Sequence, residues 1–406
     1  PWTRAEGVGL VGVIVLSPEF PPQIKGGIGK HVGELCHALA ADGADVTVVV
    51  PGVTSMESGN PLDGLRVRWV ELPAELPTEH TANVLATNLA ILGAAVREPL
   101  PKADLMVLHH YNLGLAAIEI AQLLKVPLVW HAHAMYSASL ENHPTDSDLQ
   151  YFRNVEQRIA SNATRIIAIS NYVRNLCIDL LDAEPNRVSV IPKSLHLSDF
   201  ELPQAEARTG AANGAHGRQI LFVGRISWEK GLDLLLESLP RVQEHLKETQ
   251  LVIAGVADDP TYLKELKERI RSLGLSRSVE MRGFVEAHDL PALYRAADVT
   301  VIPSQFEAFG RVAIESMAAG TPVVACRIGG LEEVIQHGEN GLLVSREPQE
   351  LADAIIRVLT DTGLSSRLVQ NARASVENQY SWPQILQTTT AIYRTCLPKH
   401  AVRPGG

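Results

Sequence analysis

Short apolar runs alternate along this chain with longer stretches in which apolar positions recur every three or four residues. In the first half, the runs at 8–16, 45–50, 105–108, 128–130, 166–169 and 188–191 have the length and character of strands, and helical spacing falls at 29–41, 113–124 and 149–161. Residues 198–217 are rich in Ala, Gly, Asn and Glu, carry no strand pattern, and are expected to connect two domains. The alternation then resumes. Runs at 219–223, 250–254, 279–282, 299–302, 322–325 and 342–344 are separated by helical segments at 232–245, 262–273, 289–296, 311–319 and 348–361. Strand and helix in turn predict an α/β protein with two parallel sheets, each covered by helices on both faces. Ligands of such sheets bind beyond the carboxyl ends of the strands, so two facing sheets predict a central cleft.

Composition narrows the function classes. The 406 residues are 46% hydrophobic and 20% charged, ample for two or three cores and wrong for a disordered chain. The formal charge of -10 is spread over both halves with no basic block, so no nucleic-acid partner is expected. No apolar run reaches the roughly 18 to 20 residues of a membrane span. The run at 8–16 lacks a basic flank and a small-residue cleavage site, which suits a buried strand better than a signal peptide. Pro1 in place of Met suggests a numbering that starts inside a trimmed chain. Cys36, Cys177, Cys326 and Cys396 are widely spaced, which indicates neither a zinc site nor a disulfide framework and fits a cytoplasmic location.

Three stretches carry candidate chemistry. Gly26-Gly27-Ile28-Gly29 lies between a strand and a helix, where glycines let backbone approach a ligand and a helix N-terminus favours an anion; a plain tight turn explains the same residues. Val223-Gly224-Arg225-Ile226-Ser227-Trp228-Glu229-Lys230-Gly231 sets two cations beyond a strand, suited to a diphosphate; the alternative is a surface loop in which Lys230 pairs with Glu229. The third runs from Ser304 through Glu307, Phe309, Gly310, Arg311 and Glu315 to Gly320 and the strand after it. Glu315 falls on an otherwise apolar helix, where a carboxylate is costly unless hydrogen-bonded, and vicinal sugar hydroxyls would serve; helix capping or solvent contact is the alternative.

Glu307-x7-Glu315 within EAFGRVAIESMAAGTPVVA resembles the EX7E signature of retaining GT-B glycosyltransferases of the glycogen-synthase and sucrose-synthase type, family four. The resemblance extends over roughly residues 10 to 397, through the stretches 328–335 and 338–344 and through Ser381-Trp382 at the start of a closing helix. It implies a GT-B fold of two Rossmann-like β/α/β domains. Residues 1–199 would be the acceptor side, 200–382 the donor side, and 383–406 a helix and tail crossing back to the first domain. It further implies that Arg225 and Lys230 neutralise the diphosphate of a nucleotide sugar and that Glu315 holds the ribose hydroxyls. Glu307 would contact the donor sugar, while Gly224 and the backbone around Phe309, Gly310 and Arg311 seat sugar and phosphate. His133 matches the histidine near the anomeric carbon, and Gly27 would approach the phosphate from the first domain. Fixed cations beside a departing diphosphate lower the barrier to cleaving the anomeric bond.

The remaining constellations point to no metal. Asp146-Ser147-Asp148 opens a helical pattern and suits an N-cap better than a metal ligand. His109, His110, His131 and His133 end two strands and could cluster into a zinc site, but no carboxylate or cysteine accompanies them at ligand spacing, so His110 and His131 are taken as acceptor-side hydrogen-bonders. Lys193-Ser194-Leu195 falls where many relatives have Asn-Gly-Val, which leaves the shape of that pocket open. The expected activity is transfer of a hexosyl unit from a nucleoside-diphosphate sugar, a UDP-sugar first, to a hydroxyl. The helix at 29–41 mixes Lys30, His31 and His37 with Glu34 in an acidic half, favouring a soluble acceptor over a membrane lipid. The alternatives are a transferase of cell-envelope lipid or polysaccharide assembly, a non-transferring GT-B relative such as a sugar-nucleotide epimerase, and a nucleotide-sugar-binding protein that transfers nothing.

Overall fold

The computed structural model describes residues 12–24, 27–52, 64–140, 149–200 and 217–397. The chain divides into two units, Pro1–Pro192 with Pro383–Gly406, and Lys193–Trp382. The first unit runs β1 (Gly12–Leu16), α1 (Gly27–Ala41), β2 (Asp45–Pro51), β3 (Leu65–Val70), α2 (His80–Arg97), β4 (Leu105–Leu108) and α3 (Gly114–Leu124). It continues through β5 (Leu128–Ala132), α4 (Tyr136–Leu140), α5 (Leu149–Asn162), β6 (Arg165–Ala168), α6 (Asn171–Leu181) and β7 (Val188–Val190). Its seven strands lie in the order β3-β2-β1-β4-β5-β6-β7, all parallel. All five residues of β1 are buried, as a central strand with helices on both faces requires.

The second unit repeats the plan. It holds β8 (Gln219–Val223), α7 (Leu232–His245), β9 (Gln250–Ala254), α8 (Pro260–Ser272), β10 (Val279–Gly283), α9 (Leu290–Ala296), β11 (Val299–Ile302) and α10 (Arg311–Ala318). Then come β12 (Val323–Cys326), α11 (Leu331–Val334), β13 (Leu342–Val344), α12 (Pro348–Thr360) and α13 (Thr362–Gln379). The parallel sheet has the order β10-β9-β8-β11-β12-β13. Local chemistry sets the helix starts: Asp259 accepts the N–H of Thr261 ahead of Pro260, and Asp361 accepts that of Leu364. The core joins Leu232, Leu235, Leu236 and Leu239 of α7 to Leu351, Ile355 and Val358 of α12. Each such side chain contributes about 1.5–3 kcal/mol by leaving water.

The last helix, α14 (Trp382–Cys396), belongs almost wholly to the first unit, where it buries Ile385 and Tyr393. The division after Pro192 differs from the expected 199/200, because Leu195 donates its N–H to the Tyr380 carbonyl and bridges Ser381, tying it into the second unit. Four elements carry no clear pattern in the sequence. In β3, Arg66 and Arg68 interrupt the apolar run; Arg66 pairs with Asp45, and Arg68 reaches the carbonyls of Ala94 and Glu98 at the sheet edge. Helices α2, α6 and α13 bury only narrow stripes, such as Leu364, Leu368, Ala372 and Val376 of α13. Among the described residues no helix is long and apolar enough to cross a membrane, and the four cysteines are unpaired.

Candidate functional site

In each sheet the strand order reverses between the first strand and the fourth, which opens a crevice at their carboxyl ends. In the second unit these strands are β8 and β11, and the loops leaving them carry Gly224, Arg225, Lys230 and Glu307. The backbone stitches the two loops together. Gln305 donates its N–H to Glu229 O at 2.8 Å and its side-chain amide to Trp228 O at 2.8 Å. Lys230 then donates from Nζ to Glu307 Oε2 at 2.8 Å. Glu229 instead accepts from Arg225 Nη2 at 2.6 Å, with Asp258 on Nη1 of the same guanidinium. The Lys230–Glu229 pair that the sequence allows is therefore replaced by a Lys230–Glu307 pair, and Arg225 is held by two carboxylates.

Behind Glu307 the loop turns into α10. Gly330 donates its N–H to Glu307 O at 2.8 Å, and a Cβ on Gly330 would lie 2.4 Å from Ala308 O, so only glycine permits this approach. Gly310, with φ 109°, makes the turn that starts the helix. Phe309 is buried, edge-on to Tyr380 with ring centroids 5.7 Å apart. Glu315 is 8% exposed, and neither caps the helix nor faces solvent. Its Oε1 accepts from Arg311 Nε at 2.6 Å and its Oε2 from the Tyr294 hydroxyl at 2.9 Å. Tyr294 is fully buried, and burial beside this carboxylate pushes its phenol well above the usual range. Sequence reasoning missed Tyr294, which lies 21 positions from its partner and looks like one more core aromatic of α9.

In the first unit the corresponding strands are β1 and β4. Gly27 opens α1 two residues earlier than expected, and Gly26 lies outside the described residues, as does the Asp146–Asp148 motif. A carboxylate stands at this helix start: Glu19 Oε1 accepts the Gly29 N–H at 2.9 Å, a favourable place for a negative group. At the carboxyl ends of β4 and β5 the imidazoles gather. His109 Nδ1 and His133 Nε2 share a hydrogen bond of 3.1 Å, and His131 Nε2 lies 2.6 Å from the Tyr393 hydroxyl of α14. His31 of α1 joins them, and the ring nitrogens of His31, His109 and His131 fall within 4.8 Å of one another. Such a set can hold a cation that accepts imidazole ligands. Burial lowers His131 to about 3 and also lowers His109, so both rings are neutral at pH 7.

His110 also caps a turn. Its Nδ1 accepts the Asn112 N–H and so caps the short turn 111–113. Burial, with His80 nearby, lowers its pKa to about 4. The structure thus groups Lys230, Glu307, Phe309, Gly310, Arg311 and Glu315 in one unit, and His131 with His133 in the other. His31, Tyr393 and Tyr294 enter these groups through the fold alone.

Residues 26–193 match the family described as Glycosyl transferase 4-like domain, and residues 205–375 match Glycosyl transferases group 1. An uncharacterized glycosyltransferase of Methanocaldococcus jannaschii is 30% identical over 394 residues, which is 95% of this chain and 98% of that one. Among solved structures, the sucrose-phosphate synthase of Thermosynechococcus elongatus superposes with a TM-score of 0.80 at 24% identity, covering 95% of this chain and 98% of that one. Anabaena HepE in complex with UDP-glucose superposes with a TM-score of 0.75 at 22% identity, covering 95% and 99%. These likenesses give the two sheets the GT-B architecture. With both halves matched and a relative aligned along nearly its whole length, the chain belongs to the GT-B glycosyltransferases of the group 1 and 4-like families.

Proposed function

We propose that this glycosyltransferase is a retaining, metal-independent hexosyltransferase of the cytoplasm, which passes a sugar from a nucleoside-diphosphate donor to a hydroxyl of a soluble acceptor. A UDP-sugar is the first donor to test, supported by the UDP-glucose bound to the structurally similar HepE. A sugar, a glycoside or a small natural product is the acceptor class. The observation that carries the reading is the pairing of Lys230 with Glu307 and of Arg311 with Glu315, side by side beyond β8 and β11.

In this reading Lys230 and Arg225 face the diphosphate, and Glu315, already oriented by Arg311 and Tyr294, receives the ribose hydroxyls. Glu307 accepts from hydroxyls of the transferred sugar, while Gly224 and the backbone of Phe309-Gly310 leave room for the sugar and phosphate. Gly27 approaches the phosphate and His133 the anomeric carbon. As the bond from the anomeric carbon to the phosphate oxygen breaks, its electron pair stays on the phosphate, where Lys230 stabilises the growing charge. The acceptor oxygen bonds to the anomeric carbon on the same face, and its proton passes to the departing phosphate. His131 and His110 are the acceptor-side hydrogen-bonders.

The test is release of nucleoside diphosphate from UDP-, GDP- and ADP-glucose with a panel of sugar, glycoside and natural-product acceptors. The α-linked product of an α-linked donor is expected. A β-linked product would overturn retention, and tight donor binding without turnover on any acceptor would overturn transfer.

A further inference from the structure

Lys193 is the first residue of the second unit, and its surroundings are packed. Ser194 and Leu195 are buried, Leu195 donates its N–H to Tyr380 O at 2.9 Å, and the Tyr380 ring stands against Phe309. These contacts deliver Lys193, half-buried, into electrostatic range of Arg311, Glu307, Glu315 and Lys230. Its ammonium makes no hydrogen bond or ion pair to any described residue. Both nearby carboxylates are already engaged, Glu307 by Lys230, and Glu315 by Arg311 and Tyr294. Lys193, Lys230 and Arg311 therefore outnumber Glu307 and Glu315, and the cluster carries an uncompensated positive charge. Burial, then Arg311 and Lys230, push Lys193 down to about 8 against the pull of the two glutamates. An anion arriving here relieves that strain.

Arg225 is less available than its position in the sequence suggests. Its guanidinium is bound to Asp258 and Glu229, and its side chain is 58% exposed, where an added ion pair is worth little. We propose that Lys193 binds the diphosphate of the donor, supplying beside Lys230 the positive charge that Arg225 spends on Asp258 and Glu229. The assignment rests on the nucleotide-sugar reading above and gives that site a second lysine beside Lys230. A lysine suits the task as a compact charge on a flexible stem.

The experiment is calorimetric titration of the full-length protein with UDP, GDP and ADP and with the matching nucleosides, at pH 7.5 and 9.5. The diphosphate bound most tightly is then taken to the variants. Binding should hold Lys193 protonated, so the affinity of the wild type falls as pH rises through about 8. Lys193→Met should bind the diphosphate about 10-fold more weakly at pH 7.5, keep its affinity for the nucleoside, and lose much of the pH dependence. Lys193→Arg should retain binding at both pH values. Tyr294, on Glu315, and Tyr380, whose carbonyl accepts from Leu195, are pushed well above the usual range and up to about 12 respectively, so both stay protonated at pH 9.5. Lys230, Arg311, Glu307, Glu315 and His196 are common to all the proteins compared.

Equal diphosphate affinity and equal pH dependence in Lys193→Met would overturn the proposal. Parallel loss of nucleoside and diphosphate binding would also overturn it, by reducing Lys193 to a structural residue. A wild-type protein that binds none of the three diphosphates would sink the donor reading along with it, which separates the two failures.

Discussion

Lys230 and Glu307, 77 positions apart in sequence, form a 2.8 Å ion pair in which the side chains are only 22% and 18% exposed. The pair joins the loop after β8 to the loop after β11 and holds a cation and a carboxylate ready at one crevice. Removing one member leaves the other partly buried and unpaired.

Lys230→Ala and Glu315→Ala should each abolish measurable turnover while the far-UV spectrum of the folded chain is retained. On the scale of lost transition-state stabilisation, a fall of about 10²–10³-fold or more in kcat is expected for Lys230→Ala. Near-normal steady-state kinetics in either variant would contradict the site.

Tyr294→Phe removes the donor from Glu315 Oε2 and leaves a buried carboxylate one bond short. The expected cost is about 1.5–3 kcal/mol in denaturant unfolding, larger than a surface hydroxyl would give. An unchanged midpoint would show that Arg311 alone satisfies Glu315.

Glu156 gives the first unit a pH-dependent stability. It is fully buried on α5 and accepts from the backbone of Tyr136 and from Ser137 at the start of α4. Burial raises its pKa to about 7, outweighing those hydrogen bonds and Arg153. The folded protein therefore holds this proton more tightly than the unfolded chain. Stability from this group is present below the unfolded pKa of about 4.5, is lost as pH rises toward 7, and changes no further above it. The loss amounts to about 3 kcal/mol. Urea unfolding at pH 5, 6, 7 and 8 should show Glu156→Gln gaining on the wild type across that interval. A constant difference between the two would refute the assignment.

Dialysis against EDTA should leave turnover unchanged if transfer needs no metal. Loss of activity, restored by zinc, would redirect attention to His31, His109 and His131, whose nitrogens lie within 4.8 Å of one another.

What could be read from the chain was what it encodes locally. The order of strands and helices follows from apolar spacing, and Glu307 and Glu315 sit a fixed distance apart around one turn into α10. Residues recruited through packing left no such trace. Tyr393 meets His131 across 262 positions, and Tyr294 looks like any buried aromatic until its hydroxyl is seen on Glu315. Lys193 was visible as a departure from the Asn-Gly-Val of many relatives, but its charge acquires meaning only where Arg311, Glu307, Glu315 and Lys230 surround it. The edge strand β3 was hidden by arginines that protect its open side. Arg225 was legible as a cation, while the ion pairs that occupy it were not.

The hydroxyl of Tyr393 on His131 also has a temporal meaning. Polypeptides are made from the amino end, and the second unit is one uninterrupted stretch, whereas the first is assembled from segments on either side of it. A nascent molecule on the ribosome can close the second unit first, while the first unit waits until α14, coded after it, has been made and can pack onto it.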